Sequence, residues 1–173
     1  MPDDPRARLS TAGPWTTVAV VGYSNRMLTY VIPCGGAKLD HAAPARQLYV
    51  GQMFRHTLTS VEALAAGDEA AGLGPVRVLI LSARHGLVEL DTVLDPYEQR
   101  IDKPGAVTVD TVAAQALALG IDWGQGEVYS LLPAPYRRLL DEALRRHDVY
   151  LQDVYEATGG IGDQRHVNAV IAA

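Results

Sequence analysis

Apolar positions along the chain change their spacing several times, and each change predicts an element. Leu28–Pro33 (LTYVIP) is a continuous apolar, β-branched-rich run, as a strand buried on both faces requires. Cys34-Gly35-Gly36 ends it. From Arg46 to about Ala66 the spacing becomes helical, with Val50, Phe54, Leu58, Val61 and Ala65 on one face and Gly67 placed as a C-cap. Val76–Ser82 (VRVLILS) is the clearest strand, and the polar, turn-rich stretch from Ala83 to about Pro104 reads as a loop. Asp110 is placed to cap a helix through Leu119 that Gly120 stops. Glu127–Leu132 (EVYSLL) reads as a third core strand. Pro135 then sits in the first turn of a helix whose inner face is Tyr136, Leu139, Leu140, Ala143 and Leu144. Asp148–Gln152 reads as a short strand, Gly162–Ile171 as a short final helix, and Trp15–Gly22 as an edge strand.

Strands that alternate with helices imply right-handed crossovers. The expected fold is therefore α/β, a three-layer sandwich with a mainly parallel central sheet of about four to five strands. At 173 residues one domain is expected, with 1–26 as an N-terminal extension and 27–173 as the domain proper.

Composition narrows the setting. Hydrophobic residues make up 48% and charged residues 20%, a globular balance rather than a disordered one. The single Cys34 excludes an intramolecular disulfide and fits a reducing compartment, so a cytoplasmic location is expected. The apolar runs are strand-length, too short to span a bilayer, and Met1–Arg26 lacks the basic start and small-residue cleavage site of an export signal. The net charge of −5 argues against coating duplex DNA through bulk electrostatics, while leaving room for a local basic pocket.

In open α/β sheets ligands bind beyond the carboxyl ends of the strands. Two loops qualify. The first, Cys34-Gly35-Gly36-Ala37-Lys38-Leu39-Asp40-His41, offers glycine backbone for close approach to an anion and Lys38 as a point charge. It matches neither GxxxxGK[ST] nor GxGxxG spacing. Arg46 and Tyr49 follow at the start of the first helix, and either face the same cleft or form a surface arginine over an aromatic stem. The second loop carries Ser82, Arg84, His85, Gly86, Asp91 and Asp95-Pro96-Tyr97. A carboxylate there can accept from a base N–H or a water, and a tyrosine can stack on a base. The competing reading is an Asx-Pro turn that packs Tyr97 on the core. The five histidines show no metal-ligand spacing, so no metal or other cofactor is expected. Gly159–Gln164 is a Gly-rich lead into a helix, either a phosphate loop or a capped helix start.

These segments resemble bacterial and phage domains related to the YaaA-type peroxide-stress proteins. The resemblance rests on Ile32-Pro33-Cys34-Gly35-Gly36-Ala37-Lys38, Ala45-Arg46-Gln47-Leu48-Tyr49, Leu81-Ser82-Ala83-Arg84-His85-Gly86-Leu87, Asp95-Pro96-Tyr97 and the late Gly-Ile-Gly-Asp-Gln stretch. It covers roughly Met27 to the C-terminus. It implies a fold related to DNA-glycosylase-like α/β sandwiches and a role near nucleic acid or modified bases in a stress response. The chain is much shorter than those proteins, which leaves no room for a DNA-binding insert of their kind.

The resulting expectation is a nucleobase- or nucleic-acid-directed protein, with N-glycosidase-type hydrolysis of a nucleoside, nucleotide or modified base as the leading chemistry. Asp95 would carry the catalytic carboxylate with Asp91 in reserve, and His85 or Ser82 would contact the leaving base. Cys34, Gly35, Lys38, Arg46, Tyr49, Gly86 and Tyr97 would hold the ligand. The alternatives are a non-catalytic nucleotide- or nucleic-acid-binding module, in stress response or phage–host conflict, and a protein–protein module whose loops are only structural.

Overall fold

A computed structural model describes residues 26–122, 124, 126–156, 164, 167 and 170. The expected Trp15–Gly22 strand and the Gly159–Asp163 loop lie outside those residues. Of the expected last helix Gln164, Val167 and Val170 are described, and each is helical.

The sheet is built around β1, Met27–Pro33, whose interior is buried on both faces. β3, Val76–Ser82, pairs with it in parallel on one side, Leu28 opposite Val76 and Pro33 opposite Leu81. β6, Gly126–Ser130, pairs in parallel on the other side, and β7, Leu151–Asp153, continues outward from β6. β4, Gly86–Glu89, closes the opposite edge as an antiparallel hairpin with β3. The five-stranded order is β4-β3-β1-β6-β7. A two-stranded clasp joins β2, Ala43–Pro44, to β5, Val93–Leu94.

Side chains alternate across each strand, so the sheet feeds two cores. Tyr30, Ile32 and Ile80 point to one side and pack with Phe54 and Val61 of α2, Gln52–Ala70. Val31, Leu79, Leu81 and Val128 point to the other. There they meet Val112, Ala113 and Ala116 of α3, Val109–Ala118, and Leu140, Ala143 and Leu144 of α4, Ala134–Arg145. The result is the expected α/β three-layer sandwich, with four parallel strands and one antiparallel edge. Among the described residues no helix is long and apolar enough to cross a membrane.

Four local expectations are corrected. The helix predicted from Arg46 is broken: α1 covers only Ala45–Leu48, and α2 begins at Gln52. Between them the chain turns extended, because Tyr49 bridges to Lys38 and Val50 N–H donates to the Ala37 carbonyl at 3.0 Å. Apolar spacing runs through the break because Leu48 and Tyr49 are core residues in their own right. Gly67 lies inside α2, which runs on to Ala70. Thr108, not Asp110, caps α3, its hydroxyl accepting the Thr111 N–H at 3.2 Å. The loop predicted from Ala83 contains β4 and β5, both too short to show a period.

Candidate functional site

The connection from β1 to β3 runs through α2 on one face, and that from β6 to β7 runs through α4 on the other. The chain thus leaves the carboxyl ends of the neighbours β1 and β6 in opposite directions, which opens a crevice between them. A cavity of about 300 Å³ occupies this place. Cys34, Gly35 and Gly36 form one wall, Gln99–Asp102 a second, and Pro135 and Tyr136 at the start of α4 a third. Cys34 Sγ lies 3.4 Å from the Tyr136 hydroxyl. Burial, and then the nearby Cys34, push the Tyr136 pKa far up, so its hydroxyl keeps its proton and remains a donor. Asp102 is exposed, and the Arg100 side chain hydrogen-bonded to it holds its pKa below the usual carboxylate value.

Next to this cavity is a buried row of hydroxyls. Tyr97 OH lies 2.7 Å from Ser82 Oγ and 2.8 Å from Tyr49 OH. Burial raises the pKa of both tyrosines, and for Tyr97 the Cys34 sulfur adds to it. Ser82 in turn accepts the backbone N–H groups of Arg84 and His85. Outside the row, Lys38 Nζ sits 4.3 Å from the centre of the Tyr97 ring, the Arg84 guanidinium 5.9 Å from it, and the His85 ring meets it edge-on at 5.0 Å. Lys38 also donates to the Gly36 carbonyl at 3.2 Å, which ties this cluster to the cavity wall.

The turn before β4 is fixed by Gln115 of α3. Its Nε2 donates to the His85 carbonyl at 2.7 Å, and its Oε1 accepts the Leu87 N–H at 2.9 Å. Gly86 lies between them at φ +74°, and a Cβ there would collide with the Gln115 amide.

The structure gathers Cys34, Gly35, Lys38, Tyr49, Ser82, His85, Gly86 and Tyr97 around the carboxyl ends of β1 and β3. Arg46 and Asp91 are elsewhere. They pair with each other at 3.3 Å, Arg46 also pairs with Glu62, and they line a separate cleft with Arg77 and Glu89. Asp95 is exposed and does not line the cavity. Ser82 and His85 do not form a nucleophile–base pair: the serine is met by the His85 backbone N–H, and the imidazole Nε2 is buried with no partner among the described residues. Sequence reasoning named Arg84 in the second loop without giving it a role, and missed Tyr136, Arg100, Asp102 and Gln115 as site residues. The same carboxyl-end rule, applied after β6, reaches Pro135 and Tyr136.

No group of three or more His, Cys, Asp or Glu side chains among the described residues is arranged to hold a metal ion. Residues 29–168 match the model of a family of unknown function, DUF6884. No curated protein and no solved structure matches the chain.

Proposed function

We propose that this chain, which belongs to the DUF6884 family, is a nucleoside- or nucleotide-directed enzyme that hydrolyses an N-glycosidic bond in the crevice between β1 and β6. The observation that carries the reading is the composition of that cavity. It is lined by Gly35, Gly36 and Pro135, by Tyr136, whose hydroxyl keeps its proton, and by one ionised carboxylate, Asp102. A base would lie between the glycine backbone and the Tyr136 ring. The Tyr136 hydroxyl would donate to a base nitrogen as the C1′–N bond lengthens. Asp102, held by Arg100, would face the positive charge that develops at C1′ and orient the attacking water. The C1′–N bond breaks as the water oxygen bonds to C1′, and the proton that the water loses leaves on the base, so the sum is a sugar hydroxyl and a neutral base. Asp102 thereby takes the part first assigned to Asp95, which stands outside the cavity.

A second reading is a nucleotide-binding module without turnover. What favours it is the exposure of Asp102, since a carboxylate open to water is poorly placed to act in a dry site. Both readings are tested by incubating the protein with nucleosides, nucleotides and single-stranded DNA of normal and modified bases, then measuring free base by mass spectrometry. Hydrolysis predicts base release that disappears in Asp102→Asn and survives in Asp95→Asn. Tight binding with no release from any substrate would leave the binding module. Release lost in Asp95→Asn alone would return the carboxylate role to Asp95.

A further inference from the structure

Lys38, Arg84 and His85 come from two loops and converge on one aromatic ring, Tyr97. The protein has a net charge of −5, so acidic partners are plentiful. Yet no carboxylate among the described residues forms an ion pair with Lys38 or Arg84. Asp95 and Glu98, on the same loop as Tyr97, are exposed, and neither pairs with Lys38 or Arg84. By contrast Arg46 is neutralised twice, by Glu62 and Asp91. The Nε2 of His85 is a buried polar atom with no partner, a state that natural structures rarely leave without a ligand or water to meet it. Its ring is held against Tyr97, and its backbone is fixed on both sides by Ser82 and Gln115. His85 is therefore held in place with its Nε2 unmet, and beside it stand two cations that no carboxylate among the described residues neutralises.

The geometry points to a phosphoryl-binding subsite formed by Lys38, Arg84 and the Nε2 of His85 over the Tyr97 ring. It rests on the nucleoside-directed reading of the adjoining cavity and narrows it, because a phosphate here makes the ligand a nucleotide rather than a free nucleoside. Lys38 contributes a point charge, Arg84 a planar donor fork, and the His85 ring, with its hydrogen on Nε2, one further N–H. Lys38 is hydrogen-bonded to Gly36 of the cavity wall, so phosphate and base would bind on the two sides of one glycine turn. In this arrangement Arg84, not Arg46, is the second cation of the site.

The test uses calorimetric or NMR titration of the full chain with inorganic phosphate, nucleoside 5′-monophosphates, the matching nucleosides and a short single-stranded oligonucleotide. Lys38→Gln and Arg84→Gln should each weaken binding of phosphate and monophosphates by about tenfold or more. Nucleoside affinity should stay the same in Arg84→Gln, and Lys38→Arg should retain most phosphate affinity. The His85 imidazole signals should move on addition of phosphate alone. If monophosphates bind no tighter than nucleosides, or bind equally well to both glutamine variants, the subsite is overturned while the nucleoside reading stands. If inorganic phosphate binds and is lost in the variants while no base-bearing ligand binds, the subsite stands and the nucleoside reading fails. Binding of the oligonucleotide but not of monophosphates would likewise overturn the subsite.

Discussion

Ser82 Oγ and the Tyr97 hydroxyl lie 2.7 Å apart, and the bonds around the serine assign it as the donor. Its oxygen already accepts two backbone N–H groups, from Arg84 at 3.2 Å and His85 at 2.9 Å, which leaves only its proton to give. Tyr97 then spends its own proton on Tyr49, 2.8 Å away. The row is thus directional, and each member depends on the one before. Ser82→Ala and Tyr97→Phe should each cost about 1–3 kcal/mol, because each strands a buried partner. The double variant should cost less than the sum of the two, with a coupling of at least about 0.5 kcal/mol by urea denaturation. Strict additivity would mean the three hydroxyls do not act as a chain.

Gly86 meets two demands that no other residue meets together. Its φ is +74°, and the space where a Cβ would stand is filled by the Gln115 amide. Gly86→Ala should therefore destabilise the protein by about 1–3 kcal/mol, from backbone strain and displacement of Gln115. Gln115→Ala frees that space but strands the His85 carbonyl and the Leu87 N–H, so it should not restore stability. Thermal unfolding of the two single variants and the double variant checks this. A double variant as stable as the wild type would sink it.

The parallel core was legible because its strands carry their own signals. Leu28–Pro33 and Val76–Ser82 are continuous apolar runs, and both became strands with nearly the predicted ends. The hairpin strand Gly86–Glu89 carries no such signal: it has four residues, and it exists because β3 offers it a pairing edge. The site was legible in part for a related reason. Residues directly after β1 and β3 could be found from strand ends, whereas Asp102 reaches the cavity along a loop of irregular backbone. Arg46 and Asp91 looked like site residues by chain position, but their side chains emerge toward Glu62 and find each other.

That pairing sets up a contrast between two arginines. The ion pairs of Arg46 are exposed, and exposed pairs contribute about 0–1 kcal/mol. Arg46→Gln should lower stability by less than about 1 kcal/mol and leave monophosphate affinity unchanged. Arg84→Gln should do the reverse, with little loss of stability and a clear loss of affinity. Parallel denaturation and binding curves decide it. A loss of affinity in Arg46→Gln would place the ligand in the cleft beside Glu89 and Asp91.

Cys34 is the only cysteine of the chain, half-buried on the cavity wall, so a thiol reagent reports on that wall alone. A bound base should cover the sulfur. Saturating nucleotide should slow alkylation by N-ethylmaleimide several-fold, as followed by intact mass, and Cys34→Ser should fold and take up no label. Nucleotide that binds without slowing the reaction would show that the base lies outside this cavity.

His85 links stability to pH. Burial, and then the positive charge of Arg84, hold its pKa below the ordinary 6.5. The unfolded chain therefore takes up this proton at a higher pH than the folded chain does. Between the two pKa values the unfolded state binds more protons, so stability rises with pH there and levels off above 6.5. As pH falls below 6.5 the contribution of neutral His85 is progressively lost, until the folded-state pKa is reached. Arg84→Gln removes the second cause and should bring the folded-state pKa closer to 6.5, flattening this slope. Bound phosphate should act in the same direction, because an anion beside Nε2 favours the protonated ring. An NMR titration of the His85 ring from about pH 5 to 8, with and without phosphate, measures all three effects. A titration that phosphate leaves unmoved, or shifts downward, would remove His85 from the anion site and leave Lys38 and Arg84 to hold it alone.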